Sequence, residues 1–221
     1  MSIIQDGRVG SVAATVDPTF DALRVSMRPP ELEGAYRLCM TSGNIAATTG
    51  AGNQFSFRYA GTGACVINSI RMGLQTTTAY TQNAMSHVLY VVRGFTVSDL
   101  TGAVAGGSYT TGSGLSQKLR QTMPAHQIVA YICSTGLLTG GTGTNDPQPI
   151  AACHWNQPDI ITAQGFQDLY SNQSPYSTQL TLTQNEGFRI VTSSAYGATG
   201  ISVLTVAVEW MEYPAISAAF F

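Results

Sequence analysis

The stretches EGFRIVT (186–192) and ISVLTVAVEWMEY (201–213) decide the fold of this chain. In the second stretch Leu204, Val206, Val208 and Trp210 alternate with other residues, a period of two that is typical of a β-strand. The intervening residues are mostly small or apolar as well, so we expect a central strand that is covered on both faces. The residues between the stretches are small and polar and include two glycines, which predicts a turn joining two paired strands.

Further short strands are predicted upstream of this pair. Residues 22–28 alternate and end at Pro29, because proline cannot donate to a strand ladder. Gly34 to Ser42 predicts a second strand, and residues 54–59 and 64–72 predict a hairpin around the turn 61–63. Strands are also predicted in these stretches: 84–97, 126–134, 150–155 and 178–183. Residues 158–176 contain apolar side chains without a clear period.

Two long Gly/Thr-rich loops are predicted at 99–114 and 136–149, and one short helix at 115–123. In that helix Leu115, Leu119 and Met123 follow a spacing of four, and Pro124 ends it. Many short strands separated by turns predict an all-β protein, an antiparallel β-sandwich or jelly roll. We divide the chain into an extended N-terminal arm (1–21), a single β domain (22–213) and an apolar C-terminal tail (214–221).

The composition favours a protein that assembles with others. Hydrophobic residues make up 44% of the 221 residues and charged residues only 10%, against roughly 25% charged in a typical soluble domain. Lys118 is the one lysine, and arginine is the cation that interfaces prefer. The alternative is a monomer whose wet surface consists of Thr, Ser, Asn and Gln. A net charge of −2 without a basic cluster argues against nucleic-acid binding.

No membrane segment, secretory signal or cofactor motif is evident. The longest apolar runs fall short of the roughly 20 residues that a membrane helix needs, and the N-terminus lacks a basic segment followed by an apolar one. We therefore expect synthesis and assembly in a cytoplasm. No glycine-rich phosphate loop is present, so no cofactor is predicted.

The search for catalytic and metal-binding residues predicts neither. No G-x-S-x-G motif occurs, and Glu209 and Glu212 should face opposite ways on a strand, so they cannot form a catalytic pair. We expect Glu209 to pair with an arginine at an interface. The three histidines and four cysteines have no metal-ligand spacing, and the cysteines read as small buried hydrophobes. The residues concerned are His87, His126, His154, Cys39, Cys65, Cys133 and Cys153.

Binding residues are predicted at the two ends of the chain and in the loops. Apolar anchors in the terminal segments predict contacts with neighbouring proteins, since a free tail would not need them. These interface candidates are Ile3, Ile4, Val9, Val12, Val16, Phe220 and Phe221. Aromatic residues in loop-like segments could stack on sugars or pack on neighbouring subunits. They are Tyr109, Trp155, Tyr170, Tyr176 and Tyr196.

Several segments, taken in order, resemble small virion proteins of tailed bacteriophages. The segments are Arg24-Val-Ser-Met-Arg-Pro, Gly34-Ala-Tyr-Arg-Leu, Asn53-Gln-Phe-Ser-Phe-Arg-Tyr, Ala64-Cys-Val-Ile-Asn-Ser-Ile, Lys118-Leu-Arg-Gln-Thr-Met, Asn185-Glu-Gly-Phe-Arg-Ile and Val206-Ala-Val-Glu-Trp-Met-Glu. The resemblance covers most of the chain but consists of strand sequences rather than a signature motif. The absence of a long helical stretch argues against the major capsid shell fold of these phages.

The resemblance implies a decoration or cement protein on the capsid surface of the virion. Such proteins are similar to small β-rich modules, often homotrimers, that bind the major capsid protein and copies of themselves. They are not enzymes, so no catalytic residues follow from the resemblance. An alternative from another class is a receptor- or glycan-binding module of a phage tail or fibre.

Overall fold

A computed structural model describes residues 14–17, 22–25, 34–46, 49–81, 83–104, 125–157, 162–172 and 179–213. Within these ranges the chain is all-β and contains no helix. The strands are β1 (Ala14–Asp17), β2 (Ala22–Val25), β3 (Gly34–Thr41), β4 (Ile45–Ala46), β5 (Gly52–Tyr59), β6 (Ala64–Thr78), β7 (Asn83–Arg93), β8 (Ile128–Ile132), β9 (Thr144–Asn145), β10 (Ala151–Gln157), β11 (Thr162–Ser171), β12 (Thr181–Leu182), β13 (Glu186–Thr192) and β14 (Ile201–Tyr213).

Two antiparallel sheets pack face to face. Sheet I has the order β10-β7-β13-β5-β8, with β9 added beside β7. Sheet II has the order β11-β6-β14-β3, with β12 beside β6 and β4 beside β14. Strands β1 and β2 form a separate two-stranded sheet.

The strand pairs are nested along the chain. Strand β3 pairs with β14, β5 with β13, β6 with β11, and β7 with β10. A long two-stranded ribbon rolled into a sandwich gives this order, which defines a jelly roll. The predicted all-β sandwich or jelly roll is therefore confirmed, and strands adjacent in sequence mostly lie in opposite sheets.

The core lies between the two sheets and is rich in aromatic rings. Phe57 stacks on Phe188 within sheet I, with ring centroids 4.8 Å apart. Phe57 also meets Trp210 of sheet II edge-on at 5.4 Å, and Trp210 stacks on Tyr36 at 5.5 Å. Such pairs stabilise the core by about 0.5–1.5 kcal/mol each beyond the apolar area that they bury.

Both predicted hairpins are wrong, although the strands themselves are present. Strand β5 lies in sheet I and β6 in sheet II, and β13 and β14 are separated in the same way. Their apolar rows face one another across the core instead of lying side by side. Alternation indicates which side chains point inward, but it does not tell whether the next strand lies beside or opposite.

The prediction that both faces of residues 201–213 are covered is also wrong. Strand β14 is central as expected, between β6 and β3, and Leu204, Val206, Val208 and Trp210 are fully buried. The alternate residues from Ile201 to Tyr213 are half-buried, and Glu209 is exposed. Small side chains on this face therefore lie on an outer surface of the sandwich.

Several predicted segments change in extent. Residues 158–176, where no period was evident, contain β11, whose pairing with β6 is interrupted by two register shifts. Bulges change the facing of the side chains, so the alternation is lost in the sequence. Within the strand predicted at 178–183, the described residues 179–183 contain only the two-residue strand β12. The predicted helix at 115–123 lies outside the described residues.

Candidate functional site

The outer face of sheet I is covered by the chain's own connection between β7 and β10. Arg189 points outward from β13, and all five N–H donors of its guanidinium are used. They contact the carboxylate of Asp99 at 2.9 and 3.1 Å, the side chain of Asn145 at 3.1 Å, and the carbonyl oxygens of Thr142 and Gly143 at 3.1 and 3.3 Å. The guanidinium also lies 4.7 Å from the ring centre of Phe95.

The carboxylate of Asp99 is as fully bonded as its partner. Besides Arg189, it accepts hydrogen bonds from the Asn53 side chain at 2.9 Å and the Gly141 backbone at 3.2 Å. The side chains of Arg189 and Asp99 are only 11% and 5% exposed, so the pair is shielded from water. Buried ion pairs are tolerated when the geometry is good and the remaining groups are bonded, and both conditions hold here.

The connection therefore forms a third layer over sheet I. Arg58 of β5 donates to the Ser98 hydroxyl at 2.8 Å, and the Leu138 backbone donates to the Asn53 carbonyl at 2.8 Å. A bridge between Thr101 and Thr139 joins the two arms of the connection. The described parts of the two predicted Gly/Thr-rich loops are thus packed against the sheet and cover its outer face.

Sheet II presents an outer face that solvent reaches. Its outward side chains are half-buried along the middle of β14 and exposed on the strands to either side. On β14 they are Val203, Thr205, Ala207, Glu209 and Met211, on β3 they are Arg37, Cys39 and Thr41, and on β6 they are Arg71 and Gln75. We call this set the sheet II surface.

The charges of the sheet II surface are partly balanced within the chain. Arg71 and Glu209 form an ion pair at 3.3 Å, with side chains 45% and 48% exposed. The predicted arginine partner of Glu209 is therefore Arg71, on the neighbouring strand of the same chain. Exposed pairs of this kind contribute about 0–1 kcal/mol to stability.

Glu212 lies on the opposite face of β14, as the strand spacing predicts. Its side chain is buried and accepts hydrogen bonds from the Gln127 backbone at 2.9 Å and from the Trp210 indole at 2.9 Å. Burial raises the pKa of this carboxyl, against the effect of the two donors. The carboxyl joins residue 127 to sheet II, and it stands apart from Glu209.

Cysteines and histidines do not form a metal centre in the part of the chain that the structure describes. No three His, Cys, Asp or Glu side chains there are grouped to hold an ion. Cys65, Cys133 and Cys153 are buried as predicted, whereas Cys39 is exposed on the sheet II surface. His87 and His126 are buried, and the Nε2 atom of His87 lies 2.9 Å from the Gln54 side-chain oxygen.

The aromatic residues predicted in loops do not form a surface platform as far as the structure describes them. Trp155 lies in β10 and is 2% exposed, and its indole donates to the Cys153 sulfur at 3.0 Å. Tyr196 is 3% exposed, and Tyr170 is half-buried in β11. Tyr109 and Tyr176 lie outside the described residues. Trp155 and Tyr196 are therefore inaccessible to a sugar ring.

Most of the predicted terminal anchors lie outside the described residues. These are Ile3, Ile4, Val9, Val12, Phe220 and Phe221. Val16 belongs to β1, which pairs with β2 and thus gives part of the predicted arm a defined strand. The sequence does not reveal the sheet II surface, because Thr, Ala and Val residues at alternate positions of a strand also indicate a second buried face.

No protein-family model matches the chain, and no curated protein shows a significant match to it. Among the described residues, no helix is both long and apolar enough to span a bilayer.

Proposed function

We propose that this chain is a non-enzymatic structural protein of a tailed-bacteriophage virion, of the head decoration or cement type. It binds the outer capsid surface and neighbouring copies of itself and so stabilises the shell. The observation that carries the proposal is the difference between the two outer faces of the jelly roll. The chain's own third layer covers sheet I, whereas the sheet II surface is left open to a partner.

The fold narrows the classes of function but does not choose between them. Jelly rolls occur in viral capsid proteins, lectins and cupins, and one fold serves many functions. The resemblance of the strand segments to phage virion proteins supports the first class. The low content of charged residues, 10% of the chain, fits a surface that is mostly covered after assembly.

The chemistry of the sheet II surface suits a protein partner. A strip of Val203, Thr205, Ala207 and Met211 offers apolar and hydroxyl contacts without a net charge. Exposed arginines lie beside the strip, and arginine is enriched in interfaces while lysine is depleted. We assign the surface to contacts with the major capsid protein. The terminal segments are expected to tether the chain to the capsid and to neighbouring copies, which form a homotrimer.

Removal of residues 1–16 tests the role of the N-terminal segment. Both large sheets begin at Gly34 or later, so the truncated protein should keep its β-rich far-ultraviolet circular dichroism. We expect it to lose co-sedimentation with purified phage heads, because the apolar anchors are gone. Full binding by the truncated protein would show that the anchors are not needed.

A glycan array and light scattering separate the proposal from a receptor-binding module. If the chain is a decoration protein, we expect no binding on the glycan array and a trimeric mass by light scattering. We also expect saturable binding to phage heads. Glycan binding that is lost on substitution of an aromatic residue, together with no binding to heads, would instead assign the chain to a tail or fibre.

A further inference from the structure

A chain of buried polar side chains crosses the core near the loop between β13 and β14. It begins on sheet I, where Gln54 of β5 lies 2.9 Å from the His87 Nε2 atom and donates to the Tyr196 hydroxyl at 2.9 Å. The rings of Tyr196 and Tyr80 follow, with centroids 6.2 Å apart. We call the whole set, which continues to Thr76 and Ser202, the polar seam.

The seam ends on sheet II. Ser202 of β14 and Thr76 of β6 are direct cross-strand partners, and both point inward. Burial raises the pKa of the Tyr80 hydroxyl, and the nearby Ser202 hydroxyl opposes this shift, although the two hydroxyls do not reach hydrogen-bond geometry. Six buried side chains from both sheets and two connections thus meet in the interior.

Four polar atoms in the seam have no hydrogen-bond partner among the residues that the structure describes. They are His87 Nδ1, Thr76 Oγ1, Ser202 Oγ and the Tyr80 hydroxyl. Buried polar groups are nearly always bonded, to protein or to ordered water, because an unbonded group loses its hydration without compensation. The three hydroxyls belong to neighbouring residues, since Thr76 pairs with Ser202 and Ser202 lies near the Tyr80 hydroxyl. His87 is joined to them through Gln54, Tyr196 and the ring of Tyr80. This arrangement favours bound water over four unrelated defects.

We propose that the polar seam is an internal hydration site, in which ordered water molecules bridge sheet I and sheet II. The seam requires a partner that both donates and accepts hydrogen bonds. The amide oxygen of Gln54 can only accept, so the His87 Nε2 atom that contacts it carries the proton. The Nδ1 atom of His87 is then an acceptor and needs a donor. Thr76, Ser202 and Tyr80 supply hydroxyls that can act in either role. Water meets all of these needs and commonly makes about three hydrogen bonds in such sites.

The surroundings exclude larger or charged occupants. No side chain of the seam is more than 3% exposed, so a sugar or another organic molecule has no entrance. The groups of the seam are uncharged when His87 is neutral, and a bare ion would lack a counter-charge there. The seam therefore selects small neutral molecules, and water is the one always at hand.

Removal of single hydroxyls tests this assignment through the sign of the stability change. We expect Thr76→Val and Ser202→Ala to lower the Tm by about 2–4 °C each, because the bridging water loses a partner. Thr205→Val, which removes a hydroxyl from the outward face of β14, is the control and should change the Tm by less than about 1 °C. A higher Tm for both core variants would show that these hydroxyls bind no water in the folded protein, and this result would overturn the proposal.

A high-resolution crystal structure gives an independent readout that does not depend on variant folding. Ordered water within hydrogen-bond distance of Thr76 Oγ1, Ser202 Oγ and His87 Nδ1 is expected. Hydroxyls rotated onto backbone carbonyl groups, with no water between the sheets, would overturn the proposal even if the variants were destabilised.

Discussion

Arg189 is the residue on which the third layer most depends. Its guanidinium contacts two separate parts of the β7–β10 connection, around Asp99 and around Gly143, and so fixes both to sheet I. The planar guanidinium has five N–H donors. A lysine ammonium group has three and cannot make the same number of bonds in the same geometry. A mid-strand arginine between apolar neighbours is the sequence signal for such a contact, but its partner 90 residues away is not visible in the sequence.

We expect Arg189→Ala to lower the free energy of unfolding by about 3–5 kcal/mol, because Asp99 would remain as a buried, uncompensated charge. Replacing both partners, as Arg189→Met with Asp99→Leu, should cost less than the sum of the single changes. Urea unfolding measures both. Arg71→Ala, which breaks the exposed pair with Glu209, is the matched control at about 0–1 kcal/mol. Equal losses at the two arginines would contradict the buried role of Arg189.

His87 makes the stability of the protein depend on pH. Burial lowers the pKa of this imidazole from 6.5 to about 4. Between these values the unfolded chain binds the proton and the folded chain does not, so stability is lost as the pH falls from about 6.5 to 4. The slope from this group reaches at most about 1.4 kcal/mol per pH unit. Unfolding by urea at several pH values should show a smaller slope in His87→Gln.

Glu212 contributes with the opposite sign. Burial raises the pKa of its carboxyl above the unfolded value of 4.5, so its contribution is present below that pH and is lost as the pH rises. The His87 slope is therefore best measured in a Glu212→Gln background. Identical pH profiles with and without His87 in that background would contradict the assignment of the slope to the imidazole.

At the scale of the elements, the inward face of a strand was predictable where its alternation is unbroken, and it was not predictable beyond a bulge. In β5 the alternating aromatic residues Phe55, Phe57 and Tyr59 predicted the inward face, and all three are buried. In β6, Asn68 is an extra residue opposite the step from Glu209 to Trp210. Before it the inward side chains have odd numbers, as at Ile67, and after it they have even numbers, as at Ile70. A single bulge shifts every later side chain by one position, so a rule based on strict alternation fails beyond it.

Bulges also create the polar seam. The register of β5 and β13 shifts between Ile190 and Val191, which leaves Gln54 as the additional residue on β5. Gln54 is consequently buried beside Phe55 instead of facing outward, and it reaches His87 and Tyr196. The sequence shows a glutamine in a strand, but only the shifted pairing explains why it is buried.

The pairing of β5 with β13 requires a glycine at position 187. A Cβ atom there would overlap the backbone of Phe57 and Arg58 on the neighbouring strand. We expect Gly187→Ala to lower the free energy of unfolding by about 1–3 kcal/mol, as overpacking against a fixed backbone does. Gly165→Ala in β11 is the control, since a Cβ there meets nothing within 4 Å. Equal free energies of unfolding for the two variants, measured with denaturant, would show that β5 and β13 can move apart to accommodate the added methyl group.

At the scale of the whole molecule, the open face of the sandwich is the feature that a partner would meet. We expect Thr205→Arg, in the middle of the sheet II surface, to weaken binding to phage heads at least about tenfold, equal to 1.4 kcal/mol, because it places an unpaired charge in the contact. Thr139→Arg introduces the same change at an exposed position of the third layer and should bind normally. Co-sedimentation measures both, and normal binding by Thr205→Arg would exclude this face as the contact.

The sequence by itself determined the all-β class, most of the strands and the absence of a local catalytic or metal motif, because alternation and residue spacing are properties of neighbouring residues. Only the tertiary structure decided which strands pair, which face is closed and which polar side chains meet in the core. These features depend on contacts such as Arg189 with Asp99 and Gln54 with His87. Such contacts join residues far apart in the chain, and the rolling of the ribbon into two sheets brings them together.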